Sequence, residues 1–357
     1  MRPALPPDDL AQVVHHCAHV WRQLKGSRGV ITGASGLIGS WLIEAMLQAN
    51  RSVGADLQLI LISRDLTRAR ASTPHLFNLP ECVWVEGDVC SADTWTRAAQ
   101  ALPAGGWDWC IHAATDVGDP AKSADPVALF DTCFNGTRLA TEHSARVGAR
   151  QLLLLSSGAV YGPQPDHLIG LPETYIGAPD TLSIKTAYGQ GKRAAEWLSV
   201  ALGEPHGLAV KVARIFALLG PNSPLNGPFA AGNFIRDALQ ERAINIQGDG
   251  RPLRSYLYLA DACVWLLHIL TQGQHARAYN VGSEQACSIR ELAEAVVLAS
   301  GHTLPVHVQS AMDVSTPAPR YIPDTRRAQQ ELSLREWTGL ASALAKTFTW
   351  QREAMTR

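Results

Sequence analysis

A glycine-rich turn near the amino terminus constrains the fold of this chain more than any other feature. Residues 29–32 form a short apolar run, and Thr-Gly-Ala-Ser-Gly-Leu-Ile-Gly follows over residues 32–39. Residues 37–49 then carry apolar side chains at helical spacing. Glycines at this spacing let the chain turn tightly after a strand, approach a pyrophosphate and pack the helix on the strand. The turn therefore predicts a dinucleotide site, where the free N–H groups of a helix start meet the phosphate charge.

The residues expected to contact the dinucleotide lie in this turn and after the next three strands. They are Gly33, Ser35, Gly36, Leu37, Ile38, Gly39, Ser63, Arg64, Asp88, Val89, Ala113, Ala114 and Thr115. Ser63 and Arg64 suit the 2′-phosphate of NADP, since a guanidinium matches the geometry of phosphate. Asp65 leaves NAD open, because an acidic residue after the second strand binds the ribose hydroxyls of NAD. The sequence predicts an NAD(P) site that slightly favours NADP.

Strands and helices alternate over the first 215 residues. The apolar runs typical of buried strands lie at residues 29–32, 57–62, 82–85, 109–112 and 151–155. Runs of this kind are expected where both faces of a parallel sheet are covered. Strands that alternate with helices over short connections predict an α/β fold with a Rossmann-type, doubly wound parallel sheet.

Proline and glycine cluster over residues 219–228, where this alternation ends. Such a segment predicts a loop and the start of a smaller, mixed substrate domain. A helical pattern over residues 8–25 precedes the first strand. The expected organisation is a helical extension at residues 1–25, an NAD(P)-binding domain at 26–215 and a mainly substrate-binding domain at 216–357, of which about 244–272 returns to the NAD(P)-binding domain.

Charge and cysteine content exclude several classes of function. The formal net charge of −1 provides no basic field for nucleic acid or for an anionic membrane. The seven cysteines show no CxxC spacing, which argues against a zinc site or a disulfide framework and favours a reducing cytoplasm. His15 and His19 lie one helical turn apart without a third ligand, so no metal is expected. No run approaches the ~18 apolar residues of a spanning helix, so a soluble cytoplasmic protein is expected.

A tyrosine and a lysine one helical turn apart form the core of a candidate catalytic set. These are Tyr188 and Lys192, and Ser157 ends the fifth predicted strand. A phenol has a pKa near ~10, but a neighbouring ammonium and an oxidised nicotinamide ring both favour the phenolate. The phenolate can accept a hydroxyl proton while a hydride leaves to the cofactor. Ser157 would hydrogen-bond the reacting oxygen, since active groups gather at strand carboxyl ends in such sheets.

Further motifs give the chain a resemblance to a known family. The matching segments are His112 to Ala114, Gly136-Thr137, Ala213 to Phe216, Gly220-Pro221, Gly248 to Gly250, Arg254 to Tyr256, Tyr279 to Ser283 and Asp324 to Ala328. With the elements above, the chain resembles the extended short-chain dehydrogenase/reductases, in the branch of NAD-dependent nucleotide-sugar epimerases and dehydratases, over roughly residues 28–335. The resemblance implies that Tyr188 is the general base and acid. It implies that Lys192 lowers the pKa of Tyr188 and holds the nicotinamide ribose, and that Ser157 orients the sugar oxygen.

The resemblance also implies a nucleotide-diphosphate sugar as substrate. Arg254 would grip the diphosphate, for which a bidentate guanidinium is suited. Asn233 and Phe234 would flank the nucleotide, and Asp116 would contact a sugar hydroxyl. A homodimer through two helices, at residues 126–148 and 186–201, is a further expectation from the family.

The chain departs from the family pattern at three places. Gly158 and Ala159 stand where the 4,6-dehydratases carry acids and the related decarboxylases a glutamate. Without a positioned acid and base, elimination lacks its proton carriers. Ala217 replaces an asparagine that touches the substrate diphosphate, and Cys133 replaces an asparagine three residues before Gly136.

These departures leave two reactions at C4 of the sugar. An epimerase oxidises C4 and returns the hydride to the other face of a transient 4-keto sugar, and the family branch favours it. An NADPH-dependent reductase of 4-keto-6-deoxy nucleotide sugars is the alternative that Ser63 and Arg64 favour. A non-catalytic dinucleotide-binding scaffold is the rival of another class, and the complete set of Ser157, Tyr188 and Lys192 argues against it.

Overall fold

The structure, a computed structural model, describes residues 2–103, 105–115, 125–310 and 317–356. Its strands are β1 Arg28–Thr32, β2 Gln58–Ser63, β3 Cys82–Glu86, β4 Trp109–His112, β5 Gln151–Ser157, β6 Ala209–Ile215, β7 Leu218–Leu219, β8 Ile244–Ile246, β9 Leu253–Arg254, β10 Leu257–Tyr258, β11 Arg277–Val281, β12 Cys287–Ser288, β13 Val306–Val308 and β14 Arg320–Tyr321. Its α-helices are α1 Pro7–His16, α2 Ala18–Leu24, α3 Leu37–Val53, α4 Leu66–Ser72, α5 Ala92–Ala99, α6 Pro126–Arg146, α7 Ala187–Gly203, α8 Ala230–Leu239, α9 Leu259–Gln272, α10 Ile289–Ser300, α11 Arg326–Leu332 and α12 Leu340–Thr356.

The main sheet has seven strands in the order β11-β6-β5-β4-β1-β2-β3, and every pairing is parallel. The direction in which the chain adds strands reverses between β1 and β4. Ligands bind outside the carboxyl ends of strands at such a switch point. The predicted Rossmann-type α/β fold is confirmed, and β1, β2, β4 and β5 end at the same edge of the sheet.

The alternation of side chains along β5 shows how the sheet is covered on both faces. Leu152 and Leu154 pack into a cluster that also contains Trp95 of α5. Leu153 and Leu155 face the opposite way, into the cluster formed with α3 and α9. Successive strand residues point to opposite faces, and each buried leucine stabilises the fold by about 1.5–3 kcal/mol.

Short strands after residue 215 form small separate sheets. β9 pairs with β12 and β14, β8 pairs with β13, and β7 pairs with β10. In the first of these sheets Tyr321 lies directly opposite Arg254. The smaller, mixed region predicted from the sequence therefore contains short strands of its own, while the domain boundaries stay a prediction.

The N-terminal extension is integrated into the core. It forms two helices, α1 and α2, instead of the single helix predicted over residues 8–25. The break lies at Cys17, where the indole N–H of Trp21 donates to the carbonyl of Val14 and disturbs the regular ladder. Asp9 is 1% exposed and accepts hydrogen bonds from Tyr258 Oη at 2.6 Å and Lys346 Nζ at 2.5 Å. The described residues include no helix long and apolar enough to cross a membrane.

Candidate active site

The glycine-rich turn between β1 and α3 has the geometry that close approach to a ligand requires. Gly33 has φ +64°, and a Cβ there would lie 2.8 Å from the carbonyl oxygen of Ala113. A Cβ on Gly39 would lie 2.4 Å from the carbonyl oxygen of Gly33. Gly36 is the N-cap of α3 and places no side chain over the first N–H groups of the helix. The turn therefore presents open backbone donors to an anion.

A cavity of ≈ 330 Å³ opens beside this turn, and we call it the cofactor pocket. It is lined by Arg2, Gly33, Ser35, Gly36, Ile62, Ser63, Arg64, Asp65, Arg68, Ala69, Ser72, Gly87, Val89, Ala114, Thr115 and Thr132. The hydroxyls of Ser35 and Ser63 lie 2.9 Å apart. A glycine turn, a helix start and polar side chains at the ends of β1 and β2 fit the adenosine half of a dinucleotide.

Apart from Tyr188 and Lys192, five of the predicted cofactor contacts lie outside the lining of the cofactor pocket, namely Leu37, Ile38, Gly39, Asp88 and Ala113. Leu37 and Ile38 begin α3 and are half-buried. Asp88 is exposed, and its carboxylate accepts the backbone N–H of Cys90 at 2.8 Å. Asp116 lies outside the described residues.

Asp65, the acidic residue that kept NAD possible as the cofactor in the sequence analysis, has a structural role. Asp65 is the N-cap of α4, and its carboxylate accepts the backbone N–H of Arg68 at 2.7 Å. This bond satisfies one of the donors left unpaired at a helix start.

Thr32 at the end of β1 organises the mouth of β4, and the sequence prediction did not include it. Its hydroxyl accepts the backbone N–H groups of Ala113 and Ala114 at 3.0 and 3.1 Å. The same oxygen lies 2.9 Å from Nδ1 of His112. Burial, with a smaller effect from the charge of Lys192, lowers the pKa of His112 to about 3. The neutral imidazole and Thr32 thus fix the segment that is predicted to contact the cofactor.

The fold brings the three predicted catalytic residues together. Ser157 ends β5, Tyr188 lies in the first turn of α7, and Lys192 follows one turn later. Ser157 faces Tyr188 as a hydrogen-bonding partner. Lys192 is 1% exposed, and its Nζ donates to the carbonyl of Leu155 at 2.8 Å. One ammonium, one phenol and one hydroxyl therefore meet at the edge of β5.

Two glycines around Tyr188 allow this approach. A Cβ on Gly189 would lie 2.7 Å from the carbonyl oxygen of Ala159, and one on Gly191 would lie 2.9 Å from Cβ of Cys133. The sequence Tyr-Gly-Gln-Gly-Lys lets α7 pack directly on α6 and on the turn after β5. Cys133 is buried in this contact.

Burial has the largest effect on the pKa values of Tyr188 and Lys192. It raises the pKa of Tyr188 above the ordinary range, and the contact with Ser157 opposes that rise. Burial also lowers the pKa of Lys192. Nζ of Lys192 lies 6.0 Å from the centroid of the Tyr188 ring. A further positive charge close to the phenol would lower the pKa of Tyr188 and so favour its phenolate.

A second phenol, that of Tyr321, lies at Ser157, and the sequence prediction did not include it. Tyr321 in β14 faces Ser157 as a hydrogen-bonding partner, and burial raises its pKa to about 12. Its ring lies 4.6 Å from the ring of Phe216. A Cβ on Gly158 would lie 2.7 Å from Oη of Tyr321. The missing side chain at residue 158 thus makes room for a tyrosine from far along the chain.

Comparison with known proteins agrees with this geometry. Residues 30–282 match the model of the NAD dependent epimerase/dehydratase family. The chain belongs to this family. The predicted family and the prediction of an NAD(P)-dependent enzyme of the short-chain dehydrogenase/reductase type are confirmed.

Curated relatives of this chain are named for an activity on a nucleotide sugar. UDP-glucuronic acid decarboxylase 2 of Arabidopsis thaliana is 28% identical over 76% of this chain and 57% of its own length. UDP-glucuronic acid decarboxylase 1 of the same plant is 28% identical over 87% of this chain and 66% of its own length. The chain thus spans less than two thirds of these relatives.

Solved structures of UDP-sugar epimerases share the fold. UDP-glucose 4-epimerase from Thermotoga maritima, solved with UDP-glucose, has a TM-score of 0.78 at 18% identity and covers 92% of this chain and 99% of that one. UDP-glucuronic acid 4-epimerase from Bacillus cereus, solved with UDP-glucuronic acid and NAD, has a TM-score of 0.75 at 19% identity, with coverage of 92% and 99%. At these identities the likeness establishes the fold alone.

The predicted substrate residues of this family member occupy two places. Arg254 lies beside Tyr321, and its guanidinium donates to the carbonyl of Leu253 at 2.8 Å. Asn233 lines a second cavity of ≈ 550 Å³, together with Phe234, Gly248 and Gly250. Its carboxamide donates to the carbonyl of Gly227 at 2.9 Å. The structure therefore places Arg254 beside Tyr321, which contacts Ser157, and places Asn233 at a separate cavity.

Proposed function

We propose that this protein oxidises and reduces a single carbon of a nucleotide-diphosphate sugar, as an epimerase that acts through a transient 4-keto sugar. The observation that carries the proposal is the meeting of Ser157, Tyr188 and Lys192 beside a residue 158 that has no side chain. Tyr188 exchanges a proton with the sugar hydroxyl, Ser157 orients that oxygen, and Lys192 holds the nicotinamide ribose. When bound, the nicotinamide ring supplies a hydride acceptor and, in its oxidised form, the positive charge that favours the phenolate.

The packing at Gly158 supports a reaction without elimination of water. A Cβ at this residue would lie 2.6 Å from Cζ of Phe216 and 2.7 Å from Oη of Tyr321. An acidic side chain therefore has no room there, and Ala159 offers only a methyl group. Dehydration needs a positioned acid and base, so this packing argues against a 4,6-dehydratase. The absence of a glutamate at residues 158 and 159 likewise argues against the decarboxylase activity for which the curated relatives are named.

The cofactor pocket favours a second candidate. Ser63 and Arg64 end β2, while the carboxylate of Asp65 is engaged with the backbone of α4. This arrangement supports NADP over NAD. A preference for NADPH suits a reductase of 4-keto-6-deoxy nucleotide sugars, which takes up reduced cofactor and releases the oxidised form.

Mass spectrometry of the cofactor released from freshly purified, unsupplemented protein separates the two candidates. Stoichiometric bound NAD supports the epimerase, which regenerates its cofactor in each cycle. Protein that is purified empty and binds NADPH more tightly than NADH supports the reductase. UDP- and dTDP-linked sugars, and their 4-keto-6-deoxy forms, are then tested for turnover with Tyr188→Phe as the inactive control. Cofactor binding without turnover on any of them would favour the non-catalytic scaffold.

The exposed faces of α6 and α7 support a homodimer. These helices pack against each other, and Val127 on α6 and Trp197 on α7 are 69% and 70% exposed. Large apolar side chains on neighbouring helices gain free energy when a second copy covers them. We also propose a cytoplasmic location, because the seven cysteines, all within the described residues, form no disulfide, as expected in a reducing compartment.

A further inference from the structure

We propose that Arg2, in the segment before α1, completes the cofactor pocket and binds the 2′-phosphate of NADP. The N-terminal extension would then be a specificity element of the cofactor site as well as a part of the core. The inference rests on the NADP preference that favours the second candidate function, the reductase, and adds a residue to the NADP site that lies outside the glycine-rich turn and β2.

Backbone and side-chain bonds hold the segment around Arg2 in place. The backbone N–H of Arg2 donates to the carbonyl of Ser72 at 2.6 Å, and its guanidinium donates to the carbonyl of Ser35 at 3.0 Å. The backbone N–H of Leu5 donates to the carboxylate of Glu44 at 2.8 Å. The indole of Trp350 donates to the carbonyl of Ala4 at 3.2 Å. The guanidinium of Arg2 is therefore fixed against the glycine-rich turn.

The charges around Arg2 call for an anion. Three guanidinium groups line the cofactor pocket, those of Arg2, Arg64 and Arg68, with Asp65 as the single acid among the described lining residues. The charge of Arg68, after the larger effect of burial, lowers the pKa of Arg2. In the described part of the chain, no carboxylate forms an ion pair with Arg2 or Arg68. A bound anion relieves the electrostatic repulsion between these guanidinium groups, which is stronger in a partly buried pocket than in bulk water.

The place of the pocket identifies the anion. The pyrophosphate of a dinucleotide sits at the start of the helix after β1, and the adenosine ribose lies toward the end of β2. Arg2 contacts Ser35, whose hydroxyl is 2.9 Å from that of Ser63 at the end of β2. Arg2 therefore lines the same pocket as the end of β2, and its forked guanidinium donors match the oxygens of a phosphate monoester on the ribose.

Binding measurements on the whole chain test the proposal. Arg2→Gln removes the charge and keeps a side chain that can donate, and Arg22→Gln, at an exposed position of α2, is the matched control. NADPH and NADH are titrated by fluorescence, and 2′,5′-ADP and 5′-AMP by calorimetry. We expect Arg2→Gln to weaken NADPH and 2′,5′-ADP about 10-fold, because charged hydrogen bonds to a phosphate are lost. Binding of NADH and 5′-AMP should change less than about 2-fold, and Arg22→Gln should match wild type.

Other outcomes overturn the inference in distinguishable ways. Wild-type protein that binds NADPH and NADH equally would remove the NADP preference itself. A wild-type preference that survives in Arg2→Gln would leave that preference standing on Arg64 and Arg68 and exclude Arg2. Equal weakening of NADPH and NADH would mean that Arg2 acts on the part that both dinucleotides share, through the turn at Ser35 or the pyrophosphate, and would overturn a contact with the 2′-phosphate. Thermal unfolding of each variant confirms that it is folded, and turnover of sugars is tested separately.

Discussion

Replacing Gly158 with alanine tests the packing at the catalytic serine. The added Cβ would lie 2.6 Å from Cζ of Phe216 and 2.7 Å from Oη of Tyr321. Ordinary carbon contacts begin near ~3.5 Å, so these groups must move by about 1 Å. Overpacking of this kind costs about 1–3 kcal/mol. Displacing Tyr321 from Ser157 removes a hydroxyl contact worth a further ~0.5–1.5 kcal/mol.

Urea unfolding and steady-state kinetics measure the two consequences. We expect the free energy of unfolding of Gly158→Ala to fall by about 1.5–4.5 kcal/mol, the sum of these two losses. We expect kcat/KM to fall about 10-fold. A displaced Ser157 loses about one hydrogen bond in the transition state, and that loss of free energy lowers the rate by about this factor. Gly339→Ala is the matched control, because no atom lies within 4 Å of its added Cβ. It should stay within about 0.5 kcal/mol of wild type.

A double-mutant cycle shows whether Tyr321 is the group that moves. Tyr321→Phe removes the oxygen that a Cβ on Gly158 would strike. The double variant should therefore lose less stability than the sum of the two single losses, by about 0.5–1.5 kcal/mol. If Gly158→Ala and Gly339→Ala are alike in stability and in kcat/KM, the arrangement of Ser157, Phe216 and Tyr321 described above is wrong.

Three shorter predictions concern the base, the buried histidine and the dimer. Tyr188→Phe should lower kcat by about 10²–10⁴-fold with nearly unchanged cofactor Kd in a fluorescence titration, and a parallel loss of binding would contradict a catalytic role. The pKa of His112 is lowered to about 3, so below pH ~6.5 the unfolded chain binds more protons and stability falls as pH drops toward 3. His112→Asn should flatten that part of the unfolding profile, and an unchanged slope would refute the assignment. Trp197→Glu should convert a wild-type dimer into a monomer in analytical ultracentrifugation, and a monomeric wild type would refute the proposed dimer.

Features that depend on neighbours in the chain were predictable from the sequence. The turn needs glycine at residue 33 for its φ of +64°, and at residues 36 and 39 because a Cβ would crowd the carbonyl oxygen of Gly33 in the same turn. Near-continuous apolar runs predicted β1 to β5, since strands covered on both faces carry apolar side chains at successive positions, whereas β6 and β11 of the same sheet were not predicted. Tyr188 and Lys192 share a helical turn and so stay on one face.

The remaining parts of the site depend on contacts between distant segments. Tyr321 reaches Ser157 only because β14 pairs with β9 and Gly158 leaves space. Arg2 reaches the glycine-rich turn only because the N-terminal segment is bonded to Ser72 and Glu44. The sequence by itself determined five of the seven strands of the main sheet, the glycine-rich turn and the chemistry of the candidate catalytic groups, because these depend on residues close together in the chain. Tertiary structure decided which side chains surround that chemistry, since such contacts form only when the whole chain packs.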